Sequence, residues 1–204
     1  GQMCDLCGAA LDRLGHHHIT CSCGGFVTGR HNRLRDGLLR LASVAGMNPS
    51  YEQGGFDRDR SRPADILVPL WKCGKSAAFD LTVVSPLIQE NLSGAGDIDV
   101  VSRAALVKHD ENDPKCGLLG WICVPLVVDS YGQWGDEAHL AFNEFAIRLS
   151  VRTKVTFSRA RSSIFNTLGV ILARHNAIAL LAHRAKPFLV GAREVLAASS
   201  SHLR

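Results

Sequence analysis

The sequence lacks the features that mark membrane-spanning, secreted and repetitive proteins. No apolar run reaches the roughly 18 residues that a membrane span needs, and no secretory signal opens the chain. Internal repeats and low-complexity tracts are also missing. With 204 residues, 46% of them hydrophobic and 21% charged, the chain suits one moderate domain, or one domain plus a small module, and no membrane partner.

Strong net charge is absent as well, and the cysteines are unevenly distributed. The formal charge of +4 and the pI near 8.8 permit an acidic polymer as partner without requiring one.

Seven cysteines are an odd number, and the first four of them lie between positions 4 and 23. This crowding predicts a metal-binding module in a reducing, intracellular compartment rather than a disulfide framework.

The N-terminal cysteines have the spacing of a zinc site. Cys4 and Cys7 form a CxxC pair followed by glycine, and Cys21 comes after a run of histidines. Structural zinc takes four Cys or His ligands, and a segment so short and so poor in apolar residues needs such a centre to fold. Cys4, Cys7 and Cys21 are the predicted ligands, and the fourth stays open among His16, His17, His18 and Cys23. Free cysteines beside a tag-like histidine cluster are the alternative.

An amphipathic helix is predicted after this module. Leu34, Leu38, Leu41 and Ala45 recur at helical spacing, and Gly46 ends the pattern. The first turn of this helix carries polar and basic side chains that could bind phosphate, namely Arg30, His31, Asn32, Arg33 and Arg35. For any one of them, a solvated polar face is the simpler interpretation.

Two neighbouring apolar strands each carry an acid. Residues 65–71 begin with Asp65, and residues 77–84 contain Asp80, with a turn at Gly74 between the strands. A hairpin brings such positions side by side, and carboxylates in apolar strands are costly unless they pair with a cation. A divalent metal, Mg²⁺ or Mn²⁺, is the predicted partner. The alternative is two solvated acids, or acids paired with the arginines at 58, 60 and 62.

Further helices and one more strand complete the pattern. Helices are predicted over residues 98–112, 137–149, 157–173 and 174–185, with Pro187 interrupting before a last short helix, and a third strand over residues 121–129. This order predicts an α/β protein with a mixed sheet flanked by helices. Metal-dependent phosphodiester hydrolysis needs a cation beside the carboxylates, and Lys108 on the first of these helices is the candidate, ahead of Lys75 and Lys115. Glu52 and Asp36 are possible third carboxylates.

These motifs, in this order, resemble the restriction-like endonuclease domain, of PD-(D/E)xK type, found C-terminal to the reverse transcriptase of site-specific non-LTR retrotransposons. The resemblance covers about residues 3–135 and includes the CxxC pair with its downstream His and Cys, Arg30-His31-Asn32, Arg62-Pro63, Asp65 and Asp80. The sequence departs from the pattern at two points: one residue separates Pro63 from Asp65, and Thr82 stands where the motif has lysine.

The resemblance implies the organisation and the activity of the chain. It implies a CCHC zinc knuckle over residues 1–29, a restriction-endonuclease-like core over residues 30–135, and a helical extension packing on the core over residues 136–204. A histidine-to-cysteine spacing of four intervening residues would select His16 as the zinc ligand, and a spacing of three would select His17, which is slightly favoured. The zinc knuckle and Arg30-His31-Asn32 would help to hold nucleic acid, and Arg33, Arg35 and Lys75 are further predicted contacts.

The implied function is the nicking of target DNA in the nucleus, where the new 3′ end primes reverse transcription. Asp65 and Asp80 would bind Mg²⁺ or Mn²⁺, with Lys108 and Glu52 as further catalytic residues. The implied partners are DNA, element RNA and a reverse transcriptase in a parent polyprotein, whose paired-aspartate motif is absent from these residues. The chain is therefore expected to be an excised C-terminal domain or a stand-alone descendant. The alternatives are a nuclease fold kept only for binding nucleic acid, and a zinc-stabilised protein-interaction domain.

Overall fold

The computed structural model describes residues 2–51, 64–87 and 99–200, the last of these with side chains to residue 183. The helices are α1 (His16–Thr20), α2 (Phe26–Val44), α3 (Val100–Leu118), α4 (Asp136–Thr153) and α5 (Phe157–Ser200). The strands are β1 (Ser50–Tyr51), β2 (Ile66–Lys72), β3 (Lys75–Val84) and β4 (Ile122–Asp129). The chain divides into two compact units, residues 1–29 with 174–204 and residues 30–173.

The four strands form one mixed sheet in the order β1-β2-β3-β4. The pairs β1–β2 and β2–β3 are antiparallel, and β3–β4 is parallel because α3 makes the crossover between them. The β2–β3 hairpin closes through Cys73 and Gly74, both with positive φ, which matches the right-handed twist of the strands. The predicted α/β class with a mixed sheet flanked by helices is confirmed.

The two faces of the sheet are buried to different depths. Side chains alternate along β3, so Phe79 and Leu81 enter a large core with α2, α4 and the first half of α5. Phe79 packs edge-to-face on Trp71 and Phe145, with ring centroids 5.1 and 5.7 Å away. The opposite face carries Ala78 in a smaller cluster with cysteines of α3 and β4. Asp80 shares that thinner face, and its carboxylate is therefore held close to α3.

The last helix corrects the predicted interruption at Pro187. Pro187 does not divide it, because α5 is continuous from Phe157 to Ser200. Proline disfavours a helix interior, but the neighbouring alanines, leucines and basic residues are strong helix formers. The segment Phe157–His183 is also long and apolar enough, by length and composition, to cross a membrane, with a mean hydropathy of 1.4 and 22% of that window buried. The stripe of Ala160, Ile164, Leu168 and Leu172 in the core accounts for part of this apolar character.

Candidate functional site

Four predicted ligands meet in the unit formed by the N-terminal residues and the end of α5. Cys4, Cys7, His17 and Cys21 place one ligand atom each within 4.8 Å of one another. The Sγ atoms of Cys4 and Cys21 are 3.9 Å apart, and Cys7 Sγ lies 3.2 Å from His17 Nε2. The carboxylate of Asp12 accepts the backbone N–H groups of His16 and His17, which fixes the start of α1 and the position of its histidines.

The other candidates for the fourth ligand lie outside this group. His18 is buried, and its ring packs on His183 at 4.9 Å between centroids. His16 and Cys23 contribute no atom to the group, so the structure favours His17. Burial raises the pKa of Cys4, but backbone hydrogen bonds near Leu6 and Cys7 outweigh it and lower that pKa to about 6, whereas burial raises the pKa of Cys21 to about 11. Three thiols and one imidazole are a donor set that could hold a metal such as zinc.

The two predicted acids are neighbours across the β2–β3 hairpin. Ile66 pairs with Phe79, Asp65 precedes Ile66, and Asp80 follows Phe79. The backbone N–H of Asp65 donates to the Phe79 carbonyl oxygen at 2.8 Å, so the hydrogen-bond ladder between β2 and β3 extends one residue before the start of β2. Burial raises the pKa of Asp80, and the charge of Asp65 raises it further. The hairpin therefore brings the two carboxylates into one site.

Asp65 is held by α2 and by the backbone of β3. Its Oδ2 accepts the N–H of Leu81 at 2.9 Å and lies 3.1 Å from His31 Nε2. The same imidazole nitrogen lies 3.0 Å from the Leu81 carbonyl oxygen. The hydrogen bond to Asp65 raises the pKa of His31, although burial opposes it. His31 is thus part of the acidic site itself, and not only of a polar helix edge.

Asp80 is held by α3. Its Oδ2 accepts a hydrogen bond from Asn112 Nδ2 at 2.8 Å and an ion pair from Lys108 Nζ at 3.2 Å. Burial raises the pKa of Asp80, and Lys108 acts against this shift. Burial lowers the pKa of Lys108, but Asp80 and then Glu111, 3.4 Å away, outweigh burial, so the pKa is raised. Lys108 is therefore an ammonium group fixed beside the carboxylates.

A cavity continues from this site along β3 and α3. It has a volume of about 260 Å³, and its polar lining is supplied by Thr82, Arg103 and Lys108. The lining contains two cationic side chains and one hydroxyl group, and it contains no acid. These groups could pair with an anionic group. The rest of the cavity lining is apolar and comes from Val84, Val100, Ala104 and Val107.

Several predicted site residues have other positions. Glu52, Arg62 and Pro63 lie outside the described residues. Asp36 accepts hydrogen bonds from Arg35 and from the Tyr51 hydroxyl, each at 3.0 Å, and is committed there. Lys75 is exposed at the hairpin turn, and neither it nor the partly exposed Lys115 makes an ion pair with a described acid.

The predicted nucleic-acid contacts on α2 differ in accessibility. The side chain of Arg30 is only 4% exposed, and burial lowers its pKa, so its guanidinium is not a surface group. Asn32 lies 3.5 Å from His31 Nδ1, and Arg35 pairs with Asp36. Arg33 is exposed. Of these residues, Arg33 is therefore best placed to meet a phosphate.

Sequence reasoning missed Asn112 and the acidic-site contact of His31. Asn112 is buried one helical turn after Lys108, so the two reach the same carboxylate from one face of α3. A helix-face comparison with Lys108 could have found Asn112. The contact of His31 with Asp65 joins α2 to the residue just before β2, and it depends on the tertiary packing of the helix on the sheet.

A second cluster of potential ligands lies beside α3, at His109, Asp113 and Cys123. Both ring nitrogens of His109 are already engaged, Nδ1 with Asp113 at 2.9 Å and Nε2 with Glu137 at 2.8 Å. Burial lowers the pKa of His109, but Asp113 and Glu137 outweigh burial and raise it. These contacts identify an ion-pair cluster that joins α3 to α4, and we assign no metal to it.

Comparisons with known proteins add no family assignment. No protein-family model matches the chain, and no curated protein matches it significantly. The functional argument therefore depends on the site geometry and on the motifs in the sequence.

Proposed function

We propose that the chain is a metal-dependent DNA endonuclease with a restriction-endonuclease-like core. The observation that carries the proposal is the convergence of Asp65, Asp80 and Lys108, which come from two strands and the crossover helix. Two carboxylates with a fixed ammonium group are the set that metal-dependent phosphodiester hydrolysis requires. Arg103 and Lys108 line one cavity, and in this proposal their charges would pair with the phosphates of the substrate.

Each side chain has a distinct role in this proposal. Asp65 and Asp80 would hold Mg²⁺ or Mn²⁺, and such a cation would supply Lewis-acid activation of water and phosphate. Lys108 remains protonated and stabilises the charge that develops on the phosphate oxygens. Asn112 donates a hydrogen bond to Asp80 Oδ2 and thereby restrains that carboxylate. No described acid replaces Glu52, whose contribution to the site stays a prediction.

We also propose that the unit of residues 1–29 and 174–204 helps to hold nucleic acid. We propose zinc as the metal of Cys4, Cys7, His17 and Cys21, in a CCHC knuckle. By the resemblance of its motifs, the nuclease would nick target DNA in the nucleus for target-primed reverse transcription. Its further partners would then be element RNA and a reverse transcriptase domain of the parent polyprotein.

Nicking of supercoiled plasmid DNA in Mg²⁺ or Mn²⁺ tests the activity. We expect Asp80→Asn to lower the nicking rate at least about 100-fold, or ~2.7 kcal/mol of transition-state stabilisation, because the substitution removes the charge that holds the cation. Asp110→Asn, an exposed acid on the same helix as Lys108, is the matched control and should nick like the wild type. Equal rates for wild type and Asp80→Asn would refute the assignment.

A binding module on a nuclease fold is the second candidate. It is favoured by Thr82, which occupies the position of the motif lysine, two residues after Asp80. Many folds keep their shape after losing their chemistry. This candidate predicts salt-sensitive DNA binding by the wild type and by Asp80→Asn, with no nicking by either protein in any divalent metal.

A further inference from the structure

We propose that the tip of the β2–β3 hairpin is a wedge for duplex DNA, in which Leu70 inserts between base pairs while Lys72 and Lys75 contact the flanking phosphates. The inference rests on the proposed function for DNA as the partner. It adds a second contact with the duplex, outside the acidic site, and gives Leu70 and Lys72 a role in distorting the DNA.

Leu70 combines an exposed apolar side chain with a strained backbone. The residue is 73% exposed, and its φ is +50°. This left-handed conformation is uncommon for a bulky residue, and glycine or asparagine would adopt it at lower cost. The pairing of β2 with β3 is irregular between Val68 and Lys72, so the strand is bulged around Leu70. Backbone strain of this kind is concentrated at functional positions.

The residue after Leu70 anchors the bulge in the core. Trp71 is buried, and its ring packs edge-to-face on Phe79 and Phe145, with centroids 5.1 and 5.9 Å away. Arg148 donates a hydrogen bond to the Trp71 carbonyl oxygen at 3.4 Å. Because the adjacent backbone is fixed, the exposed side chain of Leu70 has a rigid support. Such preorganisation lowers the entropy that is lost on binding.

The charges of the hairpin are complementary to those of DNA. Lys72 and Lys75 are exposed and lie opposite each other at the end of the β2–β3 ladder. Neither lysine forms an ion pair with a described acid, and residues 66–79 contain no aspartate or glutamate. Proteins that kink DNA combine cations on the phosphates with an apolar side chain between base steps, and leucine is one of the residues used.

Protection of an exposed sheet edge does not account for Leu70. Among the described residues, β1 pairs only with Ile66 and Leu67, so the rest of β2 lies at the edge of the sheet. A proline, a lysine and a bulge prevent such an edge from pairing with another chain, and Pro69 and Lys72 fit that purpose. An exposed leucine works against it. Contact with DNA bases explains the leucine as well as the bulge.

The wedge and the acidic site can contact the same duplex. Leu70 comes five residues after Asp65, and a chain spans at most about 3.6 Å per residue, so their Cα atoms lie within about 18 Å of each other. With a rise of about 3.4 Å per base pair, this distance covers about five base pairs. A phosphate at the carboxylates would therefore lie within about five base pairs of the step that Leu70 enters.

Fluorescence of 2-aminopurine inside a short duplex detects unstacking without cleavage when the full chain is added without Mg²⁺ or Mn²⁺. We expect the bound wild type to raise this fluorescence at least about twofold, because the wedge separates the base from its neighbour. Leu70→Asn should abolish the increase and weaken binding about three- to tenfold. Its unfolding temperature should be unchanged or higher, because asparagine tolerates the positive φ. A leucine with only a structural role would instead lower that temperature.

Leu118→Asn is the matched control, because Leu118 is an exposed leucine at the end of α3, outside the hairpin. This variant should keep the fluorescence increase. Leu70→Phe retains a large apolar side chain and should also keep it, which provides a second variant if Leu70→Asn fails to fold. Lys72→Gln and Lys75→Gln should each reduce the salt slope of binding by about 1.

Four results would overturn the wedge: no duplex binding by the wild type, binding without a fluorescence increase, an equal increase with Leu70→Asn, or an equal loss with Leu118→Asn. Nicking in Mg²⁺ or Mn²⁺ is a separate readout. Unstacking without nicking contradicts only the endonuclease, and nicking without unstacking contradicts only the role of Leu70.

Discussion

Lys108 and Lys115 lie two turns apart on α3, yet only Lys108 forms an ion pair with Asp80. The structure thereby separates two candidates that the sequence left in rank order. Lys108 could be proposed from the sequence because a cation was needed and the motif position was taken by Thr82. Its partner Asn112 could not, because a buried amide on a helix has many uses and only the contact with Asp80 distinguishes this one.

Substitution of Lys108 should separate catalysis from metal binding. We expect Lys108→Met to lower the nicking rate at least about 100-fold, because the positive charge beside the phosphate is lost. Mn²⁺ affinity should be unchanged or higher, since a cation next to Asp80 has been removed. Nicking rates and calorimetric Mn²⁺ titrations measure the two effects. Lys115→Met is the control, and an equal loss of activity in both variants would contradict a specific role for Lys108.

The two adjacent histidines of α1 allow a matched test of the knuckle. His17 contributes Nε2 to the cysteine group, whereas His16 does not. His17→Ala should lower bound zinc well below one equivalent per chain, and His16→Ala should retain it, as measured by elemental analysis after dialysis against a weak chelator. Full zinc retention in His17→Ala would count against the assigned ligand set. The sequence could not choose between the two because they are adjacent and both lie a short distance before Cys21.

At the scale of whole elements, strands were easier to anticipate than helix ends. The three predicted strands match β2, β3 and β4 within two residues, because long apolar runs bounded by turn residues are strong signals. The short β1 and α1 carry too few residues to show a period. α3 extends past the predicted end at residue 112 and includes Pro114, and α5 passes Pro187. Proline was given more weight as a helix breaker than it has here.

His109 connects α3 to α4 and should make their packing depend on pH. Its pKa is raised in the folded chain above the value of about 6.5 expected when unfolded. A raised folded pKa stabilises the fold fully below the unfolded pKa, and this contribution is lost as pH rises through the folded value. Asp113 and Glu137 are the charged groups that face it.

We therefore expect wild type to be more stable than His109→Gln by about 0.5 kcal/mol near pH 5.5, a small value because the side chains are partly exposed. The difference should decrease as pH rises towards 8.5. Urea unfolding at several pH values measures it. His139→Gln on α4 controls for the loss of a histidine outside this cluster. A difference that grew with pH would contradict the raised pKa.

At the scale of the whole molecule, the fold class was accessible from the sequence and the activity was not. An alternation of strands and helices predicts a mixed sheet almost by itself, as the order of β2, β3, α3 and β4 shows. Whether the sheet supports hydrolysis depends on the positions of His31, Asp80 and Lys108 relative to one another. Those positions arise from packing of α2 and α3 against the sheet, which no local pattern encodes.

DNA affinity provides a test of the whole chain that is independent of cleavage. With a net charge of only +4, binding should depend on a local group of cations and not on the total charge. We expect the logarithm of the binding constant to fall with the logarithm of salt concentration with a slope of about −2 to −4. Asp80→Asn, measured without divalent metal, should keep this slope.

Exposed Arg33 is the contact that we propose for this binding. Arg33→Gln should weaken binding to all DNA sequences and reduce the salt slope by about 1, because one phosphate contact is removed. Lys154→Gln removes an equally exposed charge that is not among the predicted DNA contacts, and should leave the slope unchanged. Fluorescence anisotropy with a short duplex measures both. Equal effects from the two substitutions would mean that general positive charge, and not the edge of α2 beside the acidic site, attracts DNA.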